Sequence, residues 1–293
     1  MNIRDTSWGS RLFDKINILL MIAIVCVTLF PFYHIALISL SNGNAVLRGE
    51  VKFLPVGFTL DSYRLVMEDP AIPRALMNSV IYTIVGTFIN LVMTALCAYP
   101  LARATFSGRT LFTWMVAFTM LFSGGLIPLY LLVMQLGLLN SIWAIVLPTA
   151  INPWFMFILR TSFKQVDESI YEAALIDGAN DLQILWQIAV PLAKPTMATL
   201  LLFYAVAHWN EFFYPMIFLD DRTKYPIQLI MRNIVLLGRA EQTHELGGAT
   251  DFAVIEQTLK YATIMVSTLP ILAVYPFVQK YFVRGVMVGA IKG

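Results

Sequence analysis

The chain has 293 residues and a formal net charge of +2, with 58% hydrophobic and 13% charged residues, whereas soluble chains run about 45–50% apolar and about 25% charged. These proportions exclude an ordinary soluble enzyme and describe a polytopic membrane protein. The near balance of 20 Lys and Arg against 18 Asp and Glu leaves no basic field for nucleic acid and no acidic tail.

Spans follow from charge-free runs, since a hydrocarbon core about 30 Å thick takes roughly 20 apolar helical residues. The first covers residues 16–40 behind Arg4, Arg11 and Lys15; it is too long for a signal-peptide core and lacks a small-residue cleavage site, so it reads as an uncleaved anchor. A second lies between Arg74 and Arg103. Residues 109–160 hold no acid or base between their terminal arginines, and as one helix they would reach about 75 Å. They must fold back, most simply at residues 137–141, where Asn140 and Ser141 can end one helix and cap the next. Gly124, Gly125 and Pro128 are expected to bend the third span. Spans at about 195–219 and 261–281 bring the total to six.

Basic residues in the short segments 1–15, 101–110 and 280–293 place both ends in the cytoplasm by the positive-inside rule. Segments 41–74 and 220–260 then face outward and segment 160–194 inward. Outside, residues 227–237 read as a short apolar helix, and Thr250 or Asp251 can cap a helix entering the last span. No internal repeat divides the chain, so residues 1–293 read as one domain. Cys26 and Cys97 lie in apolar runs, and His34, His208 and His244 are too far apart for ligand spacing, which excludes disulfide and zinc frameworks.

The inward segment parses as two short helices hinged at Gly178. Asp167 and Glu168 suit the positive end of the first, and Asn180 or Asp181 can cap the second. Ile170, Tyr171, Ala173, Ala174, Leu175 and Ile176 give the first an apolar surface around most of its circumference. In the second, Leu182, Leu185, Trp186 and Ala189 fall on one face with Gln183 and Gln187 pointing away, and Pro191 and Pro195 stop it. Such a hairpin either lies on the lipid surface or seats in a partner.

Glu172-Ala173-Ala174, then Asp177-Gly178-Ala179, then Ile188-Ala189-Val190-Pro191-Leu192 resembles the EAA loop of ABC-importer membrane subunits. Residues 122–130 (Phe-Ser-Gly-Gly-Leu-Ile-Pro-Leu-Tyr), 209–213 (Trp-Asn-Glu-Phe-Phe) and 275–282 (Tyr-Pro-Phe-Val-Gln-Lys-Tyr-Phe) are similar to carbohydrate-importer permeases of the maltose-like class. They are closest to the branch that handles oligosaccharides, including aldouronate and alginate fragments. The resemblance implies an all-α membrane protein with the type I importer permease fold. It implies coupling through Glu172, Ala173, Ala174, Asp177 and Gly178, and a tail contact through Gly289, Lys292 and Gly293. It also implies a second homologous permease subunit, two ATP-binding subunits that hold ATP and magnesium, and an extracytoplasmic solute-binding protein. No cofactor is expected on this chain, where no Gly-Lys-Ser/Thr element occurs.

Glu211 is the one acid inside an expected span, and an intramembrane carboxylate is a functional candidate by default. Tyr204 and His208 stand on its helical face, with Trp209 and Asn210 beside it, a set that suits a sugar's apolar ring and hydroxyl edge. An interfacial aromatic belt, or pairing with a base on another helix, is the plainer alternative. Thr83, Thr87 and Asn90, within a polar stripe from Ser79 to Thr94, either line a cavity or glue helices together. A secondary transporter driven by an ion gradient is the rival class; it predicts inverted repeats and paired intramembrane charges.

Overall fold

The computed structural model describes residues 8–237 and 258–273. They divide into two compact units, one drawn from within Met1–Asp69 and Ile234–Thr268, the other from within Pro70–Asn233 and Leu269–Gly293.

In the first unit, helix α1 (Trp8–Ser39) begins earlier than the expected span because Arg11, Asp14 and Lys15 continue it. It exposes Leu, Ile, Val and Phe along most of its length and buries only Leu37, Ile38 and Ser39, the distribution of a helix whose solvent is lipid. Its end is fixed by polar bonds: Ser39 pairs with the Tyr63 hydroxyl at 2.8 Å, and Ser41 accepts from the Val56 amide. Short helices α2 (Gly43–Leu47) and α3 (Asp61–Glu68) follow, and Leu37, Ile38 and Val51 form a small core with Val46 and Tyr261. Tyr261 belongs to helix Thr258–Ala273, where the expected sixth span begins; the remainder of that span, and the expected cap at Thr250 or Asp251, lie outside the described residues.

The second unit is organised on α4 (Ala71–Ala102), an unbroken helix of 32 residues. Ala95 and Ala98 are fully buried, and their small side chains let neighbouring helices approach closely. Against them pack Met156, Leu159 and Phe163 of α8 (Pro153–Phe163) and Leu200 and Tyr204 of α12 (Lys194–Trp209).

Three other segments of this unit are bent pairs. Helices α5 (Arg109–Leu121) and α6 (Leu126–Gln135) meet at 117°. The break falls at Phe122 to Gly125, with Gly125 at φ 84°, a backbone state open to glycine. Pro128 lies inside the first turn of α6, where its missing N–H costs nothing, so the glycine and not the proline turns the chain. The fold-back after α6 comes where the sequence placed it, with Asn140 at φ 57°. Ser141, however, gives no side-chain cap to α7 (Ile142–Val146) and donates to the Leu138 carbonyl. A one-turn helix at Leu147–Thr149 leads through a 54° bend to α8, which Asn152 caps and Pro153 opens.

By length and composition two described helices can cross a membrane, or five if each bent pair counts as one span. The expected fifth span is not one continuous helix: α12 stops at Trp209, and a separate helix α13 (Phe213–Phe218) begins after Phe212. Helix α14 (Ile227–Leu237) matches the short apolar helix expected there.

Candidate functional site

Residues 167–192 form an arm. Helix α9 (Glu168–Ile176) is capped by Asp167, whose carboxylate accepts from the Ser169 amide at 3.0 Å. The backbone and hydroxyl of Ser169 hold that carboxyl below its ordinary range. Gly178 leaves the helix at φ 82°, and a Cβ added there would meet nothing within 4 Å; its requirement is conformational, not steric. Asn180 then caps α10 (Asp181–Ile184) in a reciprocal capping box with Gln183.

Beyond α10 the ladder widens to a π turn at Leu185–Ala189 before α11 (Val190–Leu192). Pro191 contributes no N–H, and its ring must clear the carbonyl four residues back, which favours the wider turn ahead of it. The helix continues through Pro191 and ends at Leu192. The buried face differs from the expected one: Ile184, Leu185 and Ala189 are buried while Leu182 and Trp186 are exposed. The second limb of the arm, Asp181–Leu192, stands at 87° to α12.

On α9 only Tyr171 and Ala174 are buried. Glu172, Ala173 and Asp177 are exposed, together with Leu175 and Ile176, the latter at 86%. The buried face rests on a group that the motif does not contain. Arg103, the residue after α4, is 6% exposed; its guanidinium lies 4.3 Å over the Tyr171 ring and 3.1 Å from the Glu168 carboxylate. The Tyr171 ring is edge-on to Tyr99, and its hydroxyl donates to the Phe163 carbonyl. Burial pushes the Tyr171 hydroxyl up in pKa and Arg103 partly offsets it. From the sequence Arg103 is simply a positive charge at a span end; only the return of α9 beneath α4 gives it a partner.

The candidate path residues separate into two groups. Asn90 donates to the Thr149 carbonyl and pairs with His208. Tyr204 bonds Thr94 at 2.7 Å and receives the Asn152 amide at 3.1 Å. Asn90, Tyr204 and His208 are therefore engaged between α4, α8 and α12, all three buried, as interhelical glue. Thr87 is buried, and the hydroxyls of Thr83 and Thr87 have no bonded partner among the described residues. Trp209 is buried at the end of α12.

The second group lies at the break. Asn210 is exposed and donates to the Val206 carbonyl at 2.8 Å. Glu211 is not on the face of Tyr204 and His208, because the helix has already ended. Its carboxylate accepts the Phe213 amide at 2.8 Å and the Tyr214 amide at 3.2 Å, which satisfies two orphan donors of α13 and explains how an acid is tolerated in an apolar run. Beside it a pocket of about 460 Å³ is lined by Ser123, Gly125, Leu129, Leu132, Phe213 and Tyr214, so the two chain breaks face one space.

At the other end of α4, Asn78 donates to the carbonyls of Thr223 and Tyr225, Tyr82 to that of Lys224, and Ser79 accepts the Ile227 amide. Gly289, Lys292 and Gly293 lie outside the described residues.

The family described as binding-protein-dependent transport system inner membrane component matches residues 6–288. The chain belongs to that family. As a member it is a permease subunit of an ABC transporter in the membrane, and the ion-gradient alternative is set aside. It is 42% identical over 286 residues to Protein LplC of Bacillus subtilis (strain 168), covering 97% of this chain and 96% of that one. It is also 42% identical over 288 residues to the polygalacturonan/rhamnogalacturonan transport system permease protein YtcP of the same organism, covering 97% and 99%. Among crystal structures, a chain of a bacterial ABC transporter involved in the import of the acidic polysaccharide alginate superposes with a TM-score of 0.88 at 34% identity, covering 94% of this permease and 98% of that chain.

Proposed function

We propose that this permease carries oligosaccharide fragments of an acidic polysaccharide, alginate or a related polymer, driven by ATP hydrolysed on separate subunits that grip the arm. The observation that carries the reading is the arm itself: α9 has one face seated on its own unit and the other bare, with Glu172, Leu175 and Ile176 exposed. A short helix with an unpartnered apolar face and a projecting carboxylate suits a cleft with a basic group, where a charge-assisted bond fixes the register. Glu172, Ala173, Ala174, Asp177 and Gly178 make up that handle, and the tail with Gly289, Lys292 and Gly293 supplies a second contact. The proposed topology puts both termini and the arm in the cytoplasm, with segments 41–74 and 220–260 outside, where a solute-binding protein delivers cargo. A second homologous permease subunit completes the path.

Cargo class rests on the relatives, of which one is named for polygalacturonan and rhamnogalacturonan and one for alginate. Along the path, Asn210, Glu211, Phe212 and Phe213 provide the aromatic faces and polar edge that a sugar ring needs, while the Thr83 and Thr87 hydroxyls are buried without a bonded partner among the described residues. The Glu211 charge is already engaged by two amides, so this surface recognises hydroxyls and leaves selection of the carboxylates to other subunits.

The test is reconstitution in proteoliposomes with the second permease, the ATP-binding subunits and the solute-binding protein. Labelled oligoalginate or oligogalacturonate is expected to enter only with ATP. Entry on an ion gradient without ATP would refute the proposal.

A further inference from the structure

We propose that Arg103 is the joint through which α9 moves α4, a positioning residue for coupling that lies outside the arm's own sequence. The inference rests on α9 being the seat of the ATP-binding subunit, and adds how a push on that seat enters the transmembrane core.

Glu168 and Tyr171 are three residues apart and so share one face of α9. Both meet Arg103, the carboxylate 3.1 Å from Nη1 and the ring 4.3 Å below Cζ. The charge contact lacks hydrogen-bond alignment, so it holds position by attraction over a range of angles while the stacked ring sets the distance. A planar guanidinium can serve both partners at once, which an ammonium cannot. The Arg103 side chain is only 7% exposed, and an unpaired charge at such a site is strongly unfavourable. Arg103 therefore follows Glu168 and Tyr171 when α9 shifts and does not let go.

The far side of the joint is equally fixed. Arg160 donates to the Leu101 carbonyl at 2.8 Å and Arg109 to the Arg103 carbonyl at 3.5 Å, two cations at the negative end of α4. Arg103 thus connects a helix with one bare face to the helix on which the unit is built. This route runs beside the covalent one through α10 and α11, which crosses a π turn and the 87° bend and is the softer of the two.

The experiment compares Arg103→Met, Glu168→Gln and the double variant in the full reconstituted complex, reading import per ATP hydrolysed and the yield of co-purifying ATP-binding subunits. Arg103→Met is expected to keep the subunits bound while import per ATP falls by about tenfold. Glu168→Gln should give a smaller loss, and the double variant should fall no further than Arg103→Met because the two residues act as one pair. Arg103→Lys should recover part of the loss by restoring charge without the plane. An unchanged ratio in the assembled single variants, or losses that multiply in the double, overturns the joint. If Arg103→Met does not assemble, the ratio in Glu168→Gln decides, since that change keeps shape and leaves the stacked ring in place. Gly178→Val separates the two readings: if it uncouples while the Arg103 and Glu168 variants do not, the joint alone fails. If it too keeps the native ratio, the arm is not the coupling element.

Discussion

Gly86 on α4 offers a test in which two physical rules give opposite signs. In an exposed helix interior, glycine to alanine stabilises by roughly 0.5–1 kcal/mol. Here a Cβ would meet three atoms of the His208 imidazole at 2.5, 2.6 and 2.8 Å. The ring cannot swing aside freely, because His208 is buried and bonded to Asn90, which is itself bonded to the Thr149 carbonyl. Gly86→Ala must therefore separate α4 from α12, at about 1–3 kcal/mol for overpacking, or break the Asn90–His208 bond, at about 0.6–1.7 kcal/mol for an interhelical bond in a membrane. If both occur the loss is about 2–5 kcal/mol. The assay is equilibrium unfolding of the purified chain in mixed micelles, run for Gly86→Ala, His208→Ala and the double variant. The alanine should destabilise the native background and regain its small favourable sign in the His208→Ala background, where the ring is gone. Native or greater stability for Gly86→Ala alone would refute the close packing of α4 on α12.

Three further outcomes are expected. Gly178→Val places a β-branched residue at φ 82°, a strain of about 1–3 kcal/mol, and should leave ATP hydrolysis running while import falls; Gly178→Asn, which tolerates that backbone, should import nearly normally. Glu172→Ala should weaken capture of the ATP-binding subunit by roughly tenfold, a charged hydrogen bond's worth, measured by co-purification at graded salt. Asp167 has a lowered carboxyl pKa in the fold, so its cap is fully present above the ordinary carboxylate pKa of about 3.9 and is lost as pH falls through the lower folded value. Hydrogen exchange at the Ser169 and Ile170 amides, corrected for intrinsic rate, should quicken there, and Asp167→Asn should abolish the acid dependence.

The arm was legible because its signals are local. A glycine that needs positive φ, an Asn able to cap the next helix and an acidic first turn all act within four residues. The turn at Asn140 was legible for the same reason. The break after Trp209 was hidden because hydropathy treats residues 195–219 as one run, whereas Glu211 supplies a ready cap for a new helix and so competes with continuation. The buried face of α10, with Ile184 in place of Leu182, is set by packing into the core with residues of α4, α8 and α12, which a period-3.6 template of the segment alone does not contain. The polar stripe of α4 was visible, but its choice between cavity and glue depended on Thr149, Tyr204 and His208, which come from distant parts of the chain. The role of Arg103 is not written locally, because it depends on two residues that only tertiary packing brings to it.

Within its unit α4 is uninterrupted, while three neighbouring segments are bent pairs. Asn78, Ser79 and Tyr82 grip the backbone of residues 223–227 near its first turns, and Arg103 grips α9 beyond its last. A straight girder held near both extremities, among members bent along their length, keeps a constant span of about 48 Å at helical rise. If the proposed joint holds, tilting it at one end sweeps the other through a matching arc, and a single piece of secondary structure gears the two ends together.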